Sequence, residues 1–512
     1  MAGKFIKKNK IFLLLFVFSL ISLILKILFI FKYSIAFTFD QGRDFLDLRE
    51  MAIFGKIRLI GPATSLQGIY FGPFWYWVIF PFYLILVGHP LAGVFPLLIL
   101  GFLTPFFIYW FLEDKKLAFF LGVLFIFSYP AFEHSRVALN PHLLIFITPL
   151  IFIFFGKFLE KEIFLFLYLA LFLAGVALHF QVVIALLWLP VFFISSFVLG
   201  KIGIFLKEKK SFIFYLFPLV PQIIFEVRHG FLQTKALINV LFYDKEILGF
   251  RFYEKMGTFF DVFRQIAGEN FFLTFIFVLL FGFLVYQFMA NLAAEKKDEA
   301  FCLLTVGLVF LFVSFFWLMV WPFTLKSWDL VDIEVLFLIF LGLSFYYLSR
   351  IEKKGLIISC FLLFLVSFFS VSPFRLLPFE KFNSPDPANL RTRLKVIDLI
   401  YNDAGGKGMR IFTFAPYVYD YPYQYLIWWR AKTKYRYLPE EYVYLPNQPK
   451  YVAAKEEADS LIPKKISECT YLIIEPFESQ EKWFWQWRGN FGSAKKIWEI
   501  GRTRVEKLCQ RE

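Results

Sequence analysis

Several stretches of this 512-residue chain set carboxylates, cations and imidazoles close together. The densest is FTFDQGRDFLDLREM, residues 37 to 51. There Asp40, Arg43, Asp44, Asp47, Arg49 and Glu50 fall within eleven positions, directly behind an apolar run. On a helix Asp40 and Asp44, four apart, share a face, with Asp47 close by. Two carboxylates so placed can hold a divalent cation, or divide between them the tasks of deprotonating and orienting an acceptor. The plainer alternative is a solvated amphipathic helix with ion pairs such as Arg43 to Asp47.

Three further stretches carry the same residue types. EHSRVALNP and the residue after it supply Glu133, His134, Arg136, Asn140 and His142 between two apolar runs. An arginine there can bind a phosphate, although a lone one is more often a lipid-headgroup anchor. LHFQ places His179 and Gln181 at a helix end, where a structural hydrogen bond is the default reading. PQIIFEVRHGFLQTK brackets Glu226 with Arg228, His229, Gln233 and Lys235, a denser cluster than anchoring requires. WPFTLKSWD adds Lys326 and Asp329.

What must position these residues is a membrane. Hydrophobic residues make up 59% of the chain, charged residues only 18%, and Phe alone occupies 76 positions, against a globular norm of about 25% charged. Apolar runs near the roughly 20 residues needed to cross a bilayer recur from residue 11 to residue 372. The +14 net charge lies in short clusters between those runs and forms no basic stripe, so nucleic acid is not expected as a partner. With Lys4, Lys7, Lys8 and Lys10 cytoplasmic and the run 72 to 87 treated as a partly embedded interfacial helix, the basic loops 113–116, 156–162, 200–210, 293–299 and 349–355 all fall inside. The predicted architecture is a polytopic α-helical membrane protein of about 11 spans. Its N-terminus is cytoplasmic and uncleaved, its large first external loop covers 32–90, and a second long external loop covers 226–270. The spans read as almost free of charge, with Lys26 the exception, and the mixed polar stretches all face the extracytoplasmic side of the cell membrane.

Beyond residue 372 the apolar pattern stops, which separates a membrane domain, 1–372, from a small extracytoplasmic α/β domain, 373–512. A helix is predicted at 389–405, stopped by Gly405 or Gly406. Strands are predicted at 409–416 and 469–476, with a hairpin over 494–508 turned at Gly501. Cys302, Cys360, Cys469 and Cys509 show no metal-type spacing. Free thiols are expected at Cys469 and Cys509, with a disulfide between them the lesser alternative.

Taken together, the layout resembles the GT-C superfamily of integral membrane glycosyltransferases, which includes protein O-mannosyltransferases and aminoarabinose transferases, and is most similar to the bacterial type. The resemblance spans roughly residues 1–330 and is sharpest at FDQGRD and HSRVALNP, with the Pro-aromatic segment GPFWYWVIFPFYLILVG between them. It implies a polyprenyl-phosphate-linked sugar donor and a glycan, lipid or protein acceptor. It also implies a general base in the first external loop, which matches Asp40, with Asp44 next. Glu226 is the place for an assisting carboxylate, Arg136, Arg228 and Lys235 for donor-phosphate binding, and His134, Asn140, His179 and Gln181 for lining the site. The chain departs from the family in having Asp40-Gln41-Gly42 where many members have an Asp-Glu pair or Asp-Gly-Tyr, and Asn140 where one branch has a second acid. A metal-independent, base-assisted inverting transfer is therefore expected ahead of one using a divalent cation.

A transporter or flippase of a lipid-linked or small polar substrate is the alternative from another class. Carriers place ionisable groups and broken helices at mid-membrane, whereas here the polar residues gather at one face. P-loop, GxSxG, HExxH and GxGxxG motifs are absent from the sequence, so nucleotide hydrolysis, serine hydrolase and zinc protease readings have no sequence support.

Overall fold

The structure is a computed structural model describing residues 10–242, 252–371, 386–416, 419–446, 451–477 and 480–509. Lys4, Lys7 and Lys8, used above for topology, lie outside the described residues. Among those described, eight helices are long and apolar enough to cross a membrane: Lys10–Lys32, Pro90–Phe111, Asn140–Lys161, Lys209–Arg228, Phe271–Ala293, Glu299–Val320, Ser327–Leu348 and Lys353–Ser370. The chain is an integral membrane protein. Phe74–Ile85, twelve residues with Pro81 inside, is apolar but short of a crossing. The stretch 163–199 forms two shorter apolar helices, Phe164–Ala177 and Val182–Val198. The predicted run 117–132 divides into Lys115–Phe127 and Tyr129–His134, because Ser128 caps the second helix from its side chain and Pro130 fits its first turn.

Two compact units divide the chain. One comprises Met1–Leu28, Leu59–Trp75 and Pro96–Leu376; the other comprises Phe29–Arg58, Tyr76–Phe95 and Leu377–Glu512. The second unit thus takes in parts of the predicted first external loop together with the C-terminal residues.

The spans are less free of charge than their hydropathy suggests. Asp332 and Glu334, inside the apolar run 331–348, are 0% and 4% exposed, and the helix bearing them is buried along its whole length. Both carboxylates persist there because each accepts a hydrogen bond from a neighbouring helix or loop, as detailed below.

In the second unit five strands form one sheet, β1 (Gly408–Phe414), β2 (Glu441–Val443), β3 (Ser467–Ile474), β4 (Lys496–Ile500) and β5 (Thr503–Cys509), in the order β2-β1-β3-β5-β4. β1 runs parallel to β2 and β3, and β5 antiparallel to β3 and β4. The β4–β5 hairpin turns at Gly501, whose φ of 64° is left-handed. The predicted helix appears as Leu390–Ala404, capped by the Asn389 side chain and stopped at Gly405 with φ 58°. Phe412, Phe414, Leu472 and Ile474 from β1 and β3 pack with Phe484 and Trp487 of the helix Glu481–Arg488 to form the local core.

The free-thiol expectation for Cys469 and Cys509 is corrected. Pairing of β3 with β5 sets the two residues directly opposite one another, with Cα atoms 4.2 Å apart, and they form a disulfide. Cys302 and Cys360 are free.

Candidate active site

The residues of the opening stretch form a helix of their own, Phe39–Phe54, referred to below as the acidic helix. It starts where the Thr38 amide donates to Gln41 Oε1 at 2.6 Å, and it stops at Gly55, left-handed with φ 61°. Asp40 lies in its first turn, where the positive end of the helix dipole favours a carboxylate.

Charge along this helix is organised by two arginines. Arg43 reaches Asp40 at 3.2 Å through Nη1 and Asp44 at 3.0 Å through Nη2, with Nε a further 3.1 Å bond to Asp44. Asp44 is buried, while the Asp40 side chain is 48% exposed. Burial by itself would lower the Arg43 pKa; the surrounding Asp44, Tyr76 and Asp40 outweigh it and hold the guanidinium above its ordinary value. One turn on, Arg58 bridges Asp47 at 2.9 Å and Glu50 at 2.7 Å. The Tyr76 hydroxyl donates to Asp47 at 2.6 Å and stands 3.4 Å from Asp44. Burial raises the Asp47 pKa, against the pull of Arg58 and the Tyr76 hydrogen bond. Arg43 thus pairs forward with Asp44, not with Asp47 as an isolated helix would suggest.

This arrangement bears on a divalent cation. A guanidinium lies between the two carboxylates that would be first ligands. Among the described residues no cluster of three or more His, Cys, Asp or Glu side chains is placed to hold a metal ion. At Asp40 and Asp44 the position a cation would take between the carboxylates is held by the Arg43 guanidinium.

A second polar network belongs to the membrane unit. His134 Nε2 bonds Glu334, and its ring lies 4.1 Å from that of His142, whose Nδ1 meets the Val137 carbonyl at 2.7 Å. Arg136 pairs with Glu133. Asn140 donates to the Phe180 carbonyl at 2.9 Å, Gln181 donates to Asp329 at 2.6 Å, and Thr148 donates to Asp332. The stretches around 133–142, 178–181 and 329–334, apart in sequence, are therefore joined. His179 stacks on Phe74 at 4.1 Å and bonds the Pro218 carbonyl at 2.9 Å; an added Cβ on Gly72 would strike its ring.

Glu226 acts as a cap. It accepts from the Gln233 and Thr234 amides, each at 3.0 Å, and from the Thr234 hydroxyl at 2.7 Å, tying Val220–Arg228 to the helix Leu232–Phe242. Arg228 and Lys235 are exposed on those two helices. Sequence reasoning missed Asp332 and Glu334. The available signal was the spacing of three acids, Asp329, Asp332 and Glu334, across the first turns of an otherwise apolar helix.

No family profile matches the chain, and no curated protein matches it. Its architecture nevertheless defines a class: this is an integral membrane protein of GT-C-like fold. The chain is similar to the crystal structure of ArnT from Cupriavidus metallidurans bound to undecaprenyl phosphate, at TM-score 0.61 and 12% identity, over 98% of each chain. It is equally similar to the apo form of that protein, at TM-score 0.60 and 13% identity, over 96% of this chain and 97% of the other. At such identity the likeness establishes the fold.

Proposed function

We propose that this protein is a glycosyltransferase that moves a sugar from a polyprenyl-phosphate-linked donor to an acceptor on the extracytoplasmic face of the cell membrane. The observation that carries the reading is the Asp40–Arg43–Asp44 arrangement: a half-exposed carboxylate held by an arginine that a buried carboxylate anchors, on a fold shared from end to end with a protein crystallised on undecaprenyl phosphate.

In this reading Asp40 takes the proton of the acceptor hydroxyl as the acceptor oxygen attacks the anomeric carbon. The bond from that carbon to the phosphate oxygen breaks on the opposite side, and the anomeric configuration inverts. The phosphate is already a good leaving group, so alignment, deprotonation and charge stabilisation supply the catalysis. Arg136, Arg228 and Lys235 are the cations assigned to the leaving phosphate. Asp44 is assigned the orientation of Arg43, and Glu226 the bracing of its two helices. The N-terminus is assigned to the cytoplasm. No structural observation favours the transporter alternative.

The test is turnover in lipid nanodiscs with hexosyl and pentosyl polyprenyl-phosphate donors, read as release of polyprenyl phosphate. Wild-type protein should release it, and Asp40→Asn should lower the rate at least about 100-fold, the usual scale of a general base, while remaining folded. Full turnover by Asp40→Asn would remove the assigned base. Movement of the intact donor across the bilayer without cleavage would replace the enzyme with a flippase.

A further inference from the structure

The motif FDQGRD contains a glycine that chemistry does not need. Gly42 lies between the Arg43-linked carboxylates, inside a helix, where glycine costs about 0.5–1 kcal/mol relative to alanine. Its surroundings account for it. A Cβ at Gly42 would fall 2.7 Å from both Pro422 Cα and Tyr421 C, and closer still to Pro422 N. All three are backbone atoms at the start of the helix Tyr421–Arg430, so no side-chain rotation could make room.

A second tie fixes the same end of the acidic helix. The strand-like residues before it pair with residues 388–390: the Phe37 amide donates to the Ala388 carbonyl at 2.8 Å, and the Leu390 amide to the Ile35 carbonyl at 2.9 Å. Behind them Arg393, 1% exposed, donates to Glu475 and to the Phe37 carbonyl. The start of the acidic helix is thus set from two sides by the residues that follow the membrane spans.

We propose that the C-terminal part of the chain is a positioning element for the acidic helix, with Gly42 against the Pro422 backbone as the contact that sets the helix and Arg393–Glu475 as its lock. Gly42 and Arg393 are positioning residues: they touch neither donor nor acceptor and act through Asp40 and Arg43. This inference rests on the assignment of Asp40 as the base. Its physical basis is that a displacement on the order of 1 Å at a reacting group costs about 100-fold in rate, and an added methyl group at Gly42 must displace the helix.

The experiment compares Gly42→Ala, Pro422→Ala and Arg393→Lys in full-length protein in nanodiscs, scoring kcat per folded molecule, donor KM and melting temperature. Gly42→Ala should lower kcat roughly 10- to 100-fold with donor KM changed less than about twofold. Pro422→Ala, which keeps the packed backbone atoms, should stay near wild type. Arg393→Lys, which keeps the charge but loses the two-pronged bond, should reproduce the kcat loss and decides the matter if Gly42→Ala does not fold. Wild-type kcat per folded molecule in Gly42→Ala, or in Arg393→Lys, with only the melting temperature lowered, would reduce the contact to ordinary packing and overturn the proposal. The parallel Asp40→Asn assay separates the two ideas. A silent Asp40→Asn with fully active Gly42→Ala removes the positioning role alone, whereas an active Asp40→Asn removes the site assignment itself.

Discussion

Arg393 and Glu475 form an enclosed ion pair, Nε at 3.0 Å and Nη2 at 2.8 Å from the same carboxylate oxygen, with both side chains at 2% exposure or less. The Arg393 guanidinium also lies over the Tyr423 ring, 5.3 Å from its centroid. Losing one partner of such a pair strands a buried charge. Glu475→Ala should therefore destabilise the C-terminal unit by about 3–5 kcal/mol, read by chemical denaturation. A loss within ordinary surface values of about 0.5 kcal/mol would show that water reaches the guanidinium.

The Cys469–Cys509 bridge closes a loop across β3 and β5 with a sequence separation of 40. Its removal by Cys469→Ser with Cys509→Ser, or by reductant, should lower stability by about 2–4 kcal/mol. Mass spectrometry after thiol labelling without reductant should find Cys469 and Cys509 blocked in the wild type. Labelling of both would contradict the bridge.

Lys455 carries a pH dependence. Burial lowers its pKa from 10.5 to about 7, Asp459 at 3.3 Å opposes the shift, and Arg49 reinforces it. Between about pH 7 and 10.5 the unfolded chain holds a proton that the folded chain has shed, so unfolding free energy rises with pH through that window. Melting curves of wild type between pH 7 and 9 should move upward, and those of Lys455→Met should stay flatter. Parallel slopes in the two proteins would assign the effect to other groups.

In the membrane unit, His134 with Glu334 should be energetically coupled. A double-mutant cycle with His134→Ala and Glu334→Ala, measured by unfolding in mixed micelles, should give a coupling of about 1–3 kcal/mol. Additive losses would mean that the two side chains merely sit near one another. Because His134 and His142 both grip the segment carrying Arg136, each single variant should also raise donor KM if Arg136 binds the phosphate.

Much of the fold was legible from pattern. The hydrophobic runs announced membrane helices, because twenty apolar residues have few other stable settings. Local punctuation placed the helix ended by Gly405 and the hairpin at Gly501, since both depend on a left-handed backbone that glycine adopts without strain. Short elements without periodicity escaped, such as β2 at Glu441–Val443, whose three residues are ordered by pairing with β1 and not by their own propensity.

For the candidate site, the sequence by itself determined which residues carry charge and that Asp40 and Asp44 share a helix face, because helical spacing is a property of the local backbone. Tertiary structure decided what those charges do. It set Arg43 on Asp40 and Asp44, gave Arg58 to Asp47 and Glu50, turned Glu226 into a helix cap, and buried Asp332 and Glu334 among partners far away in the chain. The physical reason is that a charge removed from water must be matched by whichever opposite group or hydrogen-bond donor folding brings within about 3 Å, and that partner has no fixed distance along the sequence.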